Sequence, residues 1–327
     1  AVMRRVCTDD QYFKEYMEQV QMCDRPEVPL ALEDDLGKLG TVHVVYASNR
    51  GHLQGLLASM LSLSRRLAAP RSCHIHVLVE RGLMDQARRV AGCFQRELAE
   101  LPAIPEVTLH ELRPVPFNVS SFFYVNFFPG HDARHCLHPE TFARFYLDEY
   151  LPRVPRVLWL DTDTIVRADV RPLYQMRLRH VLAAVPLPAS MDAYLANFYM
   201  HKHLPKSFDR TRLESTHRFN AGILLLDLDR WREEKVSGTL ERWVRMYHGL
   251  DGDQLALNLE FHDRYAHLDW RWNTDGLGHY PWRIPEACAD GGKIYHWSGR
   301  LKPWNASLRF PLPNDHLFEH PRLRCDL

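Results

Sequence analysis

Apolar residues along this chain recur with two periods, one suited to strands and one to helices. The run TVHVVYAS (41–48) has strand length, and LQGLLASMLSLSRRL (53–67) follows it with Leu53, Leu56, Leu57, Met60, Leu61 and Leu67 on one helical face. CHIHVLVE (73–80) predicts a second strand. Met84, Ala87, Val90, Ala91, Phe94, Leu98 and Leu101 then trace a second helical stripe, and EVTLHEL (106–112) predicts a third strand. Strand, helix, strand, helix, strand implies right-handed crossovers and a mostly parallel α/β sheet. Ligands of such sheets bind beyond the carboxyl ends of the strands.

Beyond the third strand the pattern breaks at RPVPFNVSSFFYVNFFPGHDARHC (113–136), too aromatic for a solvated linker and read here as a functional loop. A helix near 140–150 leads to RVLWL (156–160), a buried strand. GILLLDL (222–228) predicts another core strand, and DRWREEKVSGTLERWVRMY (229–247) an amphipathic helix after it. Residues 1–40 are polar and broken by Pro26, Pro29 and Gly37, which suits a short helix and an irregular lead-in. Residues 41–327 read as a single domain, with no internal repeat.

Composition narrows the function classes only a little. Forty-one basic residues balance forty-one acidic ones, so the overall charge gives no reason to expect a nucleic-acid partner. No stretch approaches the roughly 20 apolar residues of a membrane span. The opening AVMRRVCTDDQYF lacks the apolar core of a signal peptide, so any membrane attachment is expected through an anchor outside this sequence. Seven cysteines show no C-x-x-C spacing, which argues against a zinc site or redox pair, and their odd number leaves one without a partner in the chain. Sequons occur at Asn118 and Asn305.

The candidate chemistry begins where RVLWL ends, at Asp161-Thr162-Asp163. In extended backbone, residues two apart project to one side, so both carboxylates can address one hard divalent cation, itself able to bridge to a phosphate. A turn or cap would use the same residues. KIYHWSGRLKPW (293–304) adds an imidazole at His296, a glycine at 299 that admits close backbone approach, and a mobile charge at Lys302. By themselves these also suit an aromatic-anchored surface turn. Asn220-Ala221-Gly222 enters a core strand, and Asp253-Gln254 opens a probable helix, where an aspartate commonly caps.

Together and in order, TFARFYLDEYLPRVPRVLWLDTDTIVRADVRPLY (141–174), FNAGILLLDLDRW, DQLALN and HWSGRLKPW resemble glycosyltransferase family 8, over about residues 41–310. The resemblance implies a GT-A fold and transfer of a sugar from a UDP-sugar, with retention, to a hydroxyl of a glycan, glycoprotein or small molecule. It implies that Asp161, Asp163 and His296 hold Mn²⁺, with Mg²⁺ as a substitute, and that Gly299 and Lys302 meet the diphosphate. Arg144 would reach the donor sugar and leaving phosphate, and Asn220, Ala221 and Gly222 would line the transferred sugar. Asp253 and Gln254 would act at its reacting face, while Ala47, Asn49 and Thr162 would complete the donor site. It implies the secretory lumen, Golgi or endoplasmic reticulum, with Asn118 as the glycosylated sequon.

Two departures from the family pattern stand out. YASNRGHLQG (46–55) lacks the usual acidic residue and stacking aromatic that read uracil, leaving Asn49 and His52 for that task, and Leu255 stands where many members place an aspartate. Glucose or galactose is favoured as the sugar, with xylose as a further option. Two other classes remain open on the residues alone: a non-catalytic sugar-binding module and a sugar nucleotidyltransferase. The second lacks a Gly-rich basic loop after the first strand. The aromatic stretch at 117–128 and MDAYLANFYMHKHLP (191–205) are candidates for an acceptor platform.

Overall fold

A computed structural model describes residues 21–35, 39–119, 123–124, 135–136, 139–197, 201, 204–206, 208–247, 252–278, 290–299, 301–304 and 318. Nine strands organise the site: β1 (Val42–Ser48), β2 (Cys73–Val79), β3 (Glu106–Glu111), β4 (Arg156–Leu160), β5 (Thr164–Val166), β6 (Leu182–Ala184), β7 (Ile223–Asp227), β8 (Ala266–His267) and β9 (Ile294–His296). Seven of them form one sheet in the order β8-β6-β7-β4-β1-β2-β3. β1, β2, β3 and β4 run parallel, and β7 alone runs against both its neighbours, β4 and β6. The mostly parallel sheet expected from the alternation is therefore present. β5 and β9 make a separate antiparallel ribbon that pairs Thr164 with His296.

Both faces of the central strands are covered, which is why VLWL (157–160) and ILLL (223–226) run apolar without alternating. On one face α1 (Leu53–Arg66) and α2 (Met84–Glu97) pack Leu57, Met60, Leu61, Val90 and Phe94 against Val44, Tyr46, Ile75 and Val77. On the other, α3 (Leu228–Glu233), α4 (Val236–Tyr247) and α5 (Gly252–Phe261) bring Trp231, Leu240 and Phe261 against Val157, Trp159, Leu224 and Leu226.

Two helices differ from the sequence expectation. Residues Pro139–Tyr146 form a 3₁₀ helix before one α turn, Leu147–Tyr150. In a three-residue repeat, side chains three apart eclipse, and here Phe142 and Phe145 both turn into the core with ring centroids 5.7 Å apart. The long helix predicted over 229–247 is two, separated at Lys235, whose φ is 54°. That left-handed residue ends α3 and lets α4 redirect Val236, Leu240 and Val244 inward.

In the lead-in, residues 21–23 are helical and residues 1–20 lie outside the described part. Ala31 and Glu33 pair by backbone hydrogen bonds with Arg177 and Gln175. The buried Arg156 at the start of β4 donates to the carbonyls of Tyr174 and Met176 at 2.9 and 2.8 Å and to Glu33 Oε1 at 2.9 Å. Burial works against the Glu33 charge, but Arg156 and the Leu178 amide lower its pKa. Glu33→Ala leaves a buried guanidinium without its counter-charge and is expected to destabilise the fold by about 1–2 kcal/mol, Glu33 being partly exposed. That contribution is present above the ordinary glutamate pKa and fades as pH falls through the lowered one, so urea midpoints of the two proteins should converge in acid.

Cys23 and Cys93 each take part in a disulfide, although no spacing motif announced them. Cys73, at the start of β2, is a buried free thiol whose pKa burial pushes up to about 12. No helix among the described residues is long and apolar enough to cross a membrane.

Candidate active site

The site lies where β4 stops. The ladder runs one residue past the strand, with Asp161 N donating to Gly222 O at 2.8 Å, before the chain turns through Thr162 and Asp163 into β5. On the other side, Trp297 N donates to Asp163 O at 2.9 Å, which places the end of β9 against the same turn. Asp161, Asp163 and His296 each offer a ligand atom, and all three atoms lie within 4.8 Å of one another. His296 Nε2 is 3.3 Å from Asp163 Oδ1 and 3.8 Å from Asp161 Oδ2.

Each of these groups is held from behind. Asp161 Oδ1 accepts from Trp159 Nε1 at 2.8 Å and Arg144 Nη2 at 3.1 Å, and its other oxygen is the one turned to His296. Asp163 Oδ2 takes the ammonium of Lys302, which also donates to Trp297 O at 2.8 Å. Burial alone would keep Asp163 neutral. The adjacent Lys302 and His296 reverse that and hold its carboxyl far below the usual range. Burial likewise works against charge on His296, yet Asp163, Asp275 and Asp161 outweigh it and raise the ring's pKa.

His296 Nδ1 lies 3.0 Å from Asn273 Oδ1, an acceptor, so that nitrogen carries the hydrogen and Nε2 faces the carboxylates. Asn273 Nδ2 donates in turn to Asn220 Oδ1 at 3.1 Å, which also accepts from Gly222 N at 2.8 Å. Thus Asn220 and Gly222 reach the histidine through one amide relay. Gly222 is required by space as well: a Cβ there would stand 2.2 Å from His296 Cε1. Asn273→Ala removes the relay, and the affinity of the Asp161–Asp163–His296 cluster for a divalent ion, read by metal titration, is expected to fall about 10–100-fold.

Arg144 ties the remaining residues together. Its guanidinium lies over the Trp159 ring at 4.5 Å, pairs with Asp161, donates to Ala221 O and sits 2.6 Å from Asp253 Oδ2 through Nε. Asp253 is in the first turn of α5 and is spent on this ion pair, and Gln254 Oε1 accepts from Ala221 N at 3.1 Å. Residues scattered from 144 to 302 in the chain therefore meet at the carboxyl end of β4. Gly299, with φ 100°, makes the turn before Lys302, and few side chains tolerate that backbone.

The first loop is built differently from what its sequence suggested. Asn49, following the Ala47–Ser48 end of β1, donates through Nδ2 to Glu140 Oε1 at 2.6 Å and accepts from Gly51 N at 2.9 Å. An acidic group is thus present here, supplied by a buried glutamate 91 positions away. His52 Nδ1 is 3.0 Å from Thr162 Oγ1, and its ring meets the edge of Trp304, which donates to Gly51 O. Sequence reasoning missed Glu140, Asn273 and Asp275. The only signal for them was position: Glu140 directly precedes TFARFYL, and the other two flank Thr274 in WRWNTDG.

Asn118 is exposed, while Ser120 of its sequon, Asn305 and most of 117–128 lie outside the described residues. Within 191–205, Met191, Tyr194, Leu195 and Leu204 are buried with Leu255 and Leu259. Those four form core, which corrects the acceptor-platform expectation for them.

Such a sheet, with an Asp-x-Asp turn and a histidine converging at its carboxyl edge, defines a GT-A type glycosyltransferase. The model of Glycosyl transferase family 8 matches residues 43–307, and the chain belongs to that family. Among curated relatives, the chain is 27% identical over 292 residues to probable galacturonosyltransferase-like 3 of Arabidopsis thaliana, covering 85% of this chain and 79% of that protein. It is 29% identical over 213 residues to human glycosyltransferase 8 domain-containing protein 2, covering 58% of this chain and 60% of the relative. Among solved structures, the galactosyltransferase LgtC in complex with donor and acceptor sugar analogues aligns with TM-score 0.57 at 20% identity, over 85% of this chain and 94% of that one. Mouse xyloside xylosyltransferase 1 in its apo form aligns with TM-score 0.50 at 19% identity, over 78% and 97%. These structural likenesses support the fold.

Proposed function

We propose that this glycosyltransferase moves a hexose or pentose, glucose or galactose foremost, from a UDP-sugar to a hydroxyl of a glycan or glycoprotein, with retention at the anomeric carbon. The observation that carries the reading is the convergence of Asp161, Asp163 and His296 within 4.8 Å, with Lys302 against them. Two carboxylate oxygens and one imidazole nitrogen fit a divalent ion of borderline hardness, and the nitrogen ligand favours Mn²⁺ over Mg²⁺. When bound, the ion supplies Lewis-acid neutralisation of the diphosphate.

The chain's own residues then do the following. Lys302, held by Asp163 and the Trp297 carbonyl, would stand beside the diphosphate as a fixed cation and meet the charge that grows on the departing phosphate. Arg144, held by Asp253 and Asp161, keeps a second cation at the sugar side of that phosphate. The bond between anomeric carbon and phosphate oxygen breaks while the acceptor oxygen approaches from the same face, and its proton passes to the oxygen that leaves. Gln254, fixed on Ala221 N, presents its amide to the electron-poor sugar ring, and Asn220 lines its hydroxyls. Asp253 is committed to Arg144, which favours front-face attack over a covalent intermediate on that carboxylate.

The location that fits is an oxidising lumen such as the Golgi, supported by the bonded Cys23 and Cys93. A donor screen tests the function: UDP-glucose, UDP-galactose, UDP-xylose and UDP-galacturonate with Mn²⁺, followed by UDP release, with and without EDTA. Metal-dependent release from one of them is expected. Release from none, with any acceptor offered, would favour a binding module.

A further inference from the structure

A second set of metal-ligating side chains sits on the same sheet, away from the donor site. His43 on β1 and His74 and His76 on β2 present ligand atoms that all lie within 4.8 Å of one another. The cause is register: β1 pairs with β2 in parallel with His43 opposite His74, and His76, two residues on, projects from the same face. The cluster lies at the amino ends of these strands, whereas the Asp161 site lies past the carboxyl end of β4.

Three features suit a ligand set. His43 Nδ1 and His76 Nε2 share a hydrogen bond of 3.0 Å, and an ion replacing the shared proton would need them only slightly further apart, roughly 3.4 Å for two nitrogens on a tetrahedral ion with bonds of about 2.0–2.1 Å. The rings are also steadied from outside: His76 Nδ1 is 3.1 Å from His110 Nε2, while His74 Nε2 is 2.8 Å from Thr108 Oγ1 and 3.8 Å from Glu106 Oε1. A hydroxyl, a carboxylate and a fourth imidazole behind three imidazoles are the kind of partners that orient metal-bound histidines. Finally, His43 and His74 are only partly buried, so an ion has a way in from solvent.

We infer that His43, His74 and His76 form a three-histidine site for a borderline transition-metal ion, Zn²⁺ foremost, separate from the Asp161–Asp163–His296 site. All-nitrogen donors select Zn²⁺, Co²⁺ or Ni²⁺ and disfavour Mg²⁺ and Ca²⁺. The ion would clamp β1 to β2.

The test is a Co²⁺ titration of the whole protein read by its visible spectrum, because four-coordinate cobalt absorbs far more strongly than the six-coordinate ion. The wild type is expected to take two equivalents, and Asp161→Asn/Asp163→Asn one equivalent that keeps the intense band. Substituting His43→Asn or His74→Asn, at partly exposed rings, should remove that band and leave the other equivalent. A single equivalent in the wild type, lost in the aspartate variant, would overturn the inference without reliance on any histidine variant. So would an intense band that survives both histidine substitutions, because the row would then be a metal-free chain of neutral imidazoles.

Discussion

Asp163→Asn is expected to lower the proposed UDP-sugar turnover by at least about 10³-fold, the scale of removing a principal electrostatic contact in an active site. The substitution takes the charge from a buried carboxylate that faces His296 through one oxygen and Lys302 through the other. Two effects combine. The metal proposed for this site would lose an anionic ligand, and Lys302 would lose the anchor that fixes it beside the proposed diphosphate position. Shape is preserved, so circular dichroism and the unfolding midpoint should change far less than turnover. A variant that retains full Mn²⁺-dependent turnover would remove Asp163 from the site.

Gly222→Ala is expected to be nearly as damaging, for a steric reason. The added methyl would lie 2.2 Å from His296 Cε1 and under 3 Å from both ring nitrogens. His296 is buried and fixed by Asn273, so the ring cannot swing away without breaking the relay. Overpacking of this kind costs about 1–3 kcal/mol of stability. The same displacement moves the proposed nitrogen ligand, so on the proposed function Mn²⁺ activation should weaken by one to two orders of magnitude, roughly as when an outer-shell partner is lost. The measurement pairs thermal unfolding with Mn²⁺ titration of turnover. Loss of stability with unchanged metal activation would show that the glycine serves packing alone.

Much of the architecture was legible beforehand because the sheet is buried on both sides. Apolar runs of strand length, separated by amphipathic helices, admit few topologies. The positions of β1, β2, β3, β4 and β7 follow from such runs. What the pattern did not carry was local geometry. The break at Lys235 depends on one left-handed residue, and the 3₁₀ helix at 139–146 depends on how Phe142 and Phe145 fit the core. Hydrophobic periodicity is nearly blind to both.

The candidate site divides along the same line. Asp161 and Asp163 could be paired from sequence by their spacing, but a turn through Thr162 and Asp163, not extended backbone, brings the two carboxylates together. His296 and Lys302 could be named only through motifs met in order. Glu140 beside Asn49, Asn273 behind His296, and Arg144 between Asp161 and Asp253 are contacts across 91, 23, 17 and 109 positions. No local rule relates residues so far apart.

By itself, then, the sequence determined the alternating sheet, the pair of carboxylates at a strand's end and the chemistry they can offer. Tertiary structure decided which distant groups hold Asp163 charged and which glycine makes room for the histidine. It also placed His43 opposite His74, with His76 two residues further along the same face, because strand register, invisible in a single chain read linearly, is set by how β1 and β2 pack together.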